Sequence, residues 1–414
     1  MSKQKRRSKL SFFALDPKCD KYMNWAVALL LLAGTFTIIS TNVGKTTSAP
    51  NIVPKVLMKQ CMFVLCGYIA MWFMNRWFRF KWYARFEKII IPICLVIMAT
   101  TFAFPEIGGS RAWILIGGIS LQPSEFAKPL IILICATCLY RAKKETDMLK
   151  VRGQLFKRAW FSFVLIFGIV AIQKDMGTLV IICFIFLSCI MIPKYVVLQR
   201  MQRLLKLFVY GAIAAAIVLF GITNIGTEII KHTSLAHIAV RVENFKDPYT
   251  DVYGDGYQPA NSLYGIASSD IRGKGIGNST RKYGYLTQAD NDYILAVLLE
   301  ETGVFGLFGL VILYGMIEIR LFYYAFKTSE DMYKVILGGI GVYLFMHFFL
   351  NAGGVACLIP FTGVPLLFIS SGGTSLMSIM LTMGLAQNCI CSIRRKEMDR
   401  LLGELWRENM VLDH

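Results

Sequence analysis

The chain has 414 residues, of which 56% are hydrophobic and only 17% charged. A soluble domain carries about 25% charged residues, so one soluble core is excluded by the apolar surplus. The formal net charge of +18 does not point to nucleic acid, because Lys and Arg gather in short segments beside the apolar runs, as cytoplasmic loops of membrane proteins do.

Taken in order, the apolar runs predict ten membrane-spanning helices, at roughly 24–42, 54–75, 87–104, 123–140, 158–174, 176–193, 204–223, 292–319, 333–352 and 361–391, each near the length of about 20 residues that a bilayer demands. The eighth and tenth exceed that length, which predicts tilting, a break or extension beyond the bilayer. The expected fold class is therefore an all-α polytopic membrane protein with a large extracellular loop between helices 7 and 8. One domain, 1–414, is expected, with a cytoplasmic N-terminal segment at 1–23, the loop at 224–291 and a cytoplasmic C-terminal tail at 392–414. No small-residue cleavage site follows the first apolar run, which reads as a retained span.

Charge gives an independent check. With the N-terminus inside, the inside segments hold Lys3, Lys5, Arg6, Arg7 and Lys9, then Arg76, Arg79, Lys81 and Arg85, then Arg141 to Arg158, and finally Arg394, Arg395 and Lys396. An even number of spans with both termini cytoplasmic accommodates them, and places the protein in the cell membrane as a multi-pass chain in contact with membrane lipid. The eleven cysteines fall mostly in apolar runs. Even Cys135 and Cys138, at metal-like spacing, read as small apolar packing residues.

The loop at 224–291 is polar and rich in Gly, Tyr, Asn and Asp. Its aromatics, among them Phe245, Tyr249, Tyr253, Tyr257 and Tyr264, predict an ordered loop rather than a disordered one.

Ionisable groups at the edge of the hydrocarbon layer are costly and mark candidate sites. The first cluster is Arg111-Ala-Trp113-Ile followed by Gln122-Pro-Ser-Glu125-Phe-Ala-Lys128. Pro123 suits a first helical turn, and Glu125 and Lys128 share a face. Helix-start N–H groups beside Lys128 and Arg111 would suit a pyrophosphate; the same residues would equally make an interfacial anchor with a private ion pair. Lys174-Asp175-Met-Gly177-Thr178 reads as a tight hairpin turn more readily than as a site. In the loop stand Arg241 and Asp247-Pro248, then Gln258, then Gly273-Lys274-Gly275-Ile-Gly277-Asn278. The last is a Gly-rich stretch that lacks the phosphate-loop pattern yet lets backbone N–H groups approach an anion.

Next comes Tyr285-Leu-Thr-Gln-Ala-Asp290-Asn-Asp292. Asp292 opens a span and reads either as a helix cap or as a general base at the water–lipid boundary. Glu300 and Glu301 lie about 12–14 Å deeper at 1.5 Å per residue and require basic partners. Finally Asn351, Pro360, Gly363, Pro365 and Ser370-Ser371-Gly372-Gly373-Thr374 interrupt an apolar run, as a kink does, or as backbone lining a cavity does.

In this order and spacing, from Arg111 to Gly373, the clusters resemble the RodA/FtsW/SpoVE family of shape, elongation, division and sporulation proteins. The resemblance implies ten helices and a peptidoglycan glycosyltransferase acting on lipid II, with a class B penicillin-binding protein as transpeptidase partner alongside other cell-wall synthesis proteins. It implies that Asp292 matches the family's candidate catalytic aspartate, and it points to Arg111, Glu125, Lys128 and Asp175 as functionally important cavity residues; Gln122, Arg241, Gln258, Lys274 and Asn278 complete the expected substrate-binding set. The chain departs from the pattern at Gln288 and Asp290, where the family has an acid and a histidine, at Lys174 before Asp175, and at Ser371 in place of an aromatic. A histidine-assisted mechanism is thereby put in doubt.

The expected reaction joins two lipid II molecules. Asp292 takes the proton of the acceptor hydroxyl, that oxygen attacks the donor's anomeric carbon, and undecaprenyl pyrophosphate leaves, giving a β-1,4 glycan. Cations such as Arg111, Lys128 and Lys274 would stabilise the leaving group. No cofactor is required by the sequence. A divalent cation, Mg or Mn, at the pyrophosphate is compatible with the chemistry, but no ligand set identifies one. Two other functions fit a polar cavity with broken helices: a flippase for lipid II, and a scaffold for a transpeptidase.

Overall fold

The computed structural model describes residues 15–46, 49–117, 119–142, 148–223, 225–232 and 236–412. The described residues are mostly helical. In order come α1 (Lys21–Val43), α2 (Ile52–Trp77), α3 (Phe80–Thr100), a short hairpin of β1 (Ile114–Ile116) and β2 (Ile119–Leu121), then α4 (Ser124–Ala142), α5 (Met148–Ile172), α6 (Met176–Met191) and α7 (Val196–Ala216). Three short helices follow, α8 (Ile225–Lys231), α9 (Ala236–Lys246) and α10 (Tyr257–Ala267), before α11 (Ile294–Lys327), α12 (Asp331–Val355) and α13 (Gly373–Leu412).

Among the described residues seven helices are long and apolar enough to cross a membrane: α1, α2, α3, α7, α11, α12 and α13. A helix apolar on every side is buried in protein or faces lipid, and both cases occur. α7 leaves Leu207, Phe208 and Tyr210 exposed, whereas α12 buries a near-continuous face from Val335 to Leu344. The core lies where α12 packs against α4, α6 and α11, with α1 along α11 and α2 along α13.

The overlong tenth expected span breaks, one of the outcomes its length predicts. The run at 361–391 is not one helix: residues 361–372 are non-helical, and α13 begins at Gly373. Pro360, Pro365 and the positive φ of Gly363 (69°) keep this stretch out of a helix. We call 356–372 the re-entrant segment. α1 seats it through Gly34, where a Cβ would come within 2.2 Å of the Phe368 carbonyl oxygen. The described residues of the expected C-terminal tail continue α13 as helix to Leu412.

The eighth expected span, overlong in sequence, breaks at Gly303 (φ 64°, ψ −156°). The break releases backbone groups that the loop takes up. Lys274 N donates to Glu300 O and Gly275 N to Glu301 O, each at 2.9 Å, while Val304 N donates to Ile271 O at 3.0 Å. A buried helix end needs such partners.

The same contact neutralises the two deep acids. Glu300 accepts from Lys274 Nζ at 2.6 Å, Thr280 Oγ1 at 2.7 Å and Arg281 N at 3.2 Å. Glu301 accepts from Ser40 Oγ at 2.6 Å and Lys282 Nζ at 3.1 Å. The partners that burial demands thus come from the loop, which is pinned to the helix it precedes.

Candidate functional site

The N-terminal ends of α4, α6 and α13, the residues preceding α11 and the re-entrant segment meet at one end of the bundle. They enclose a cavity of about 470 Å³, within the usual range for small-molecule sites. At the opposite end, buried Asp20 caps α1 by accepting from Met23 N at 3.0 Å and pairs with Arg394 at 3.1 Å. That second cluster fastens the bundle far from the cavity.

Gln122, Glu125 and Lys128 project into the cavity from the start of α4. Lys128 Nζ donates to Glu125 Oε1 at 2.6 Å with both side chains buried. Asp175 caps α6, accepting from Thr178 N at 3.1 Å, and its other oxygen accepts from Gln122 Nε2 at 2.6 Å. The segment is a tight turn at the cavity wall: Lys174, at φ 58°, makes the turn, and Lys174 and Asp175 line the cavity.

Asp292 lines the same cavity, half-buried, immediately before α11. Its backbone carbonyl accepts from Asn351 Nδ2 at 2.9 Å. Burial pushes its carboxyl up to about 7, with Asp290 adding to the rise and the Arg241 guanidinium opposing it. Asp290 is itself paired with Lys45 Nζ at 3.1 Å. An acid in this range, in a cleft, has the property a general base needs at neutral pH.

Arg241, on α9, lines this cavity and also a second one of about 470 Å³ between α9, α10 and the stacked rings of Tyr293 and Phe361. Gln258 belongs to the second cavity, where its Nε2 donates to Thr287 Oγ1 at 2.6 Å.

Three expected site residues lie elsewhere. The Arg111 side chain is more than half exposed and pairs with Glu106 at 3.4 Å, outside the cavity lining. Its backbone N–H holds Gln173 O at 3.0 Å. Lys274 is committed to Glu300, and Asn278 Nδ2 donates to Lys274 O at 3.1 Å. Both build the loop–helix clasp. The Gly-rich stretch binds the freed backbone of α11 rather than opening onto the cavity.

Lys59 and His347 went unread in the sequence. Lys59 lines the cavity from α2, and His347 is buried against Lys128 at 3.0 Å. Each is an ionisable group inside an apolar run, the signal that picked out Glu125 and Lys128. Among the described residues no three His, Cys, Asp or Glu side chains gather into a metal-binding set. The donor geometry of these residues therefore assigns no cation.

The fold and site define a polytopic helical membrane protein with a polar cavity at one end, walled by helix N-termini and a non-helical segment. The chain belongs to the cell cycle protein family of FtsW, RodA and SpoVE, whose pattern matches residues 21–395. It is 30% identical over 381 residues to a probable peptidoglycan glycosyltransferase FtsW of Bacillus subtilis (strain 168), covering 91% of this chain and 92% of that one. It is 29% identical to the stage V sporulation protein E of the same organism, covering 80% and 85%. Among solved structures, a chain of a peptidoglycan synthase complex coordinating polymerization and crosslinking superposes with TM-score 0.68 at 22% identity, covering 91% of this chain and 98% of that one. Thermus thermophilus RodA superposes with TM-score 0.57 at 20% identity, covering 90% and 96%. These structural likenesses fix the fold.

Proposed function

We propose that this chain is a peptidoglycan glycosyltransferase that polymerises lipid II. The observation that carries the reading is Asp292, a half-buried acid with its carboxyl raised to about 7, in one cavity with Lys128 and Arg241. The relatives named as peptidoglycan glycosyltransferases support it.

In the proposed reaction Asp292 accepts the proton of the acceptor sugar hydroxyl. The oxygen forms a bond to the donor's anomeric carbon from the face opposite the leaving group. The bond from that carbon to the pyrophosphate oxygen breaks, and undecaprenyl pyrophosphate departs with the electron pair. Inversion converts an α-linked donor into a β-1,4 linkage. Lys128 and Arg241 stabilise the charge that grows on the leaving group, where preorganised cations act most strongly. Arg111 and Lys274 take no part in this step.

The proposed topology has ten crossings. α4, α5 and α6 complete the set beside the seven apolar helices named above, both termini are cytoplasmic and the cavity faces outward. The positions of Arg76, Arg79, Arg394 and Arg395 at the end opposite the cavity support this orientation. The proposed partner is a class B penicillin-binding protein, supported by the synthase complex that the fold matches.

Purified chain, with and without a candidate transpeptidase partner, is supplied in detergent with labelled lipid II, and products are resolved by size. Glycan strands are expected. Lipid II left unpolymerised in both arms, with the labelled lipid instead crossing the bilayer of vesicles that contain the protein, would replace the enzyme with the flippase.

A further inference from the structure

The cavity floor holds a basic side chain whose orientation is set from a distant helix. Lys128 Nζ lies 2.6 Å from Glu125 Oε1 and 3.0 Å from His347 Nε2, and all three side chains are buried. Glu125 sits on the same helix three residues away and balances the charge of Lys128; Tyr343 of α12 approaches this pair, its hydroxyl 3.5 Å from Glu125 Oε2 and its ring centroid 5.7 Å from Lys128 Nζ. His347, also on α12, adds the short hydrogen bond to the ammonium itself. Its other ring nitrogen, Nδ1, is 3.2 Å from Pro365 O in the re-entrant segment.

These neighbours determine the tautomer. A carbonyl oxygen only accepts and a lysine ammonium only donates. Nδ1 must therefore carry the proton, and Nε2 must offer its lone pair to Lys128. Tyr343, one turn earlier on α12, meets the imidazole nearly edge-on, with centroids 5.0 Å apart at 78°, which blocks the ring from swinging away. One turn later Asn351 donates to Asp292 O at 2.9 Å and to Val364 O at 2.8 Å. Residues four apart share a helix face. One rigid stretch of α12 thus fixes a basic group and an acidic residue of the cavity relative to each other, and ties both to the re-entrant segment.

We infer that His347 is a positioning residue: its neutral imidazole holds the Lys128 ammonium in the direction where the departing pyrophosphate gathers charge. The inference rests on the glycosyltransferase reading. It predicts a loss in kcat rather than KM, because an interaction realised in the transition state shows there.

Two conservative substitutions separate positioning from mere packing. The terminal oxygen of glutamine reaches the place of Nε2, so His347→Gln keeps an acceptor for Lys128. The shorter asparagine reaches only the place of Nδ1, so His347→Asn keeps the bond to Pro365 and loses Lys128. Both variants of the full chain, with its partner, are assayed on lipid II. His347→Gln is expected within about fivefold of the parent kcat, the worth of one altered hydrogen bond. His347→Asn is expected to fall on the order of 100-fold with KM little changed, as for a group displaced by about 1 Å.

A second readout needs no turnover. Trace acetylation of Lys128 by acetic anhydride, quantified by mass spectrometry, should rise several-fold in His347→Asn and match the parent in His347→Gln. If the parent polymerises lipid II, the kinetic arm decides. If it does not, the function is wrong and the acetylation arm alone decides whether His347 holds Lys128. In either deciding arm, Asn and Gln variants that behave alike overturn the inference.

Discussion

Replacing Asp292 by asparagine keeps the shape of the side chain and removes its basicity. The consequence follows from the surroundings. With the carboxyl held at about 7 by burial, about a tenth of the molecules carry a competent base at pH 6 and about nine-tenths at pH 8, so turnover should climb about tenfold between them and level off above. Asp292→Asn should lower glycan synthesis by about 10²–10⁴, the usual worth of general-base help, and abolish that rise. Stability should move the other way. For an acid whose carboxyl is raised on folding, the cost of ionising it in place is absent below the ordinary aspartate value of 3.8 and fully present above 7. Discounted for partial exposure, that cost is about 2 kcal/mol at neutral pH, so the asparagine variant should melt higher in detergent at pH 8 and no higher at pH 4. The assay pairs lipid II polymerisation with thermal unfolding of the same preparations. An Asp292→Asn protein that polymerises within a few-fold of the parent and keeps its pH profile would refute the reasoning.

The neighbours of Asp292 should displace its pH profile in opposite senses. Arg241→Gln removes the opposing cation and should shift the rising limb to higher pH; Asp290→Asn removes a like charge and should shift it lower, both read from kcat against pH. Arg111→Ala should change lipid II turnover less than about threefold, since its ion pair with Glu106 is exposed and lies off the cavity. Gly303→Ala should prevent recovery of a monodisperse folded protein. Its φ of 64° disfavours any side chain, and the new Cβ would stand 2.4 Å from Gly273 N and Ile271 O. Size-exclusion chromatography of the detergent extract reads that result.

How far the site could be read from sequence varies with how local each signal is. The turn at Lys174-Asp175 is written in neighbouring residues, and the structure adds that Asp175 caps α6 with Gln122 on its free oxygen. Glu125 and Lys128, three apart, pair as their spacing requires. Lys274 and Asn278 show the other case. A glycine-rich stretch with a lysine looks the same whether its N–H groups await an anion or close the broken end of a helix. The deciding fact is the partner, Glu300, twenty-six residues downstream.

By itself the sequence determined the apolar runs, the places where proline and glycine interrupt them, and the demand that buried charges at Glu300 and Glu301 find cations, because each follows from the cost of apolar surface in water or charge in hydrocarbon. Only the tertiary structure decided which cations answered. It gave Lys274 and Lys282 to the deep acids and left Lys128 and Arg241 to the cavity. It also put His347 and Asn351 on one face of α12, where they set the acid and the lysine against each other. Such choices depend on which helix ends meet, and chain spacing carries no record of distances between residues hundreds of positions apart.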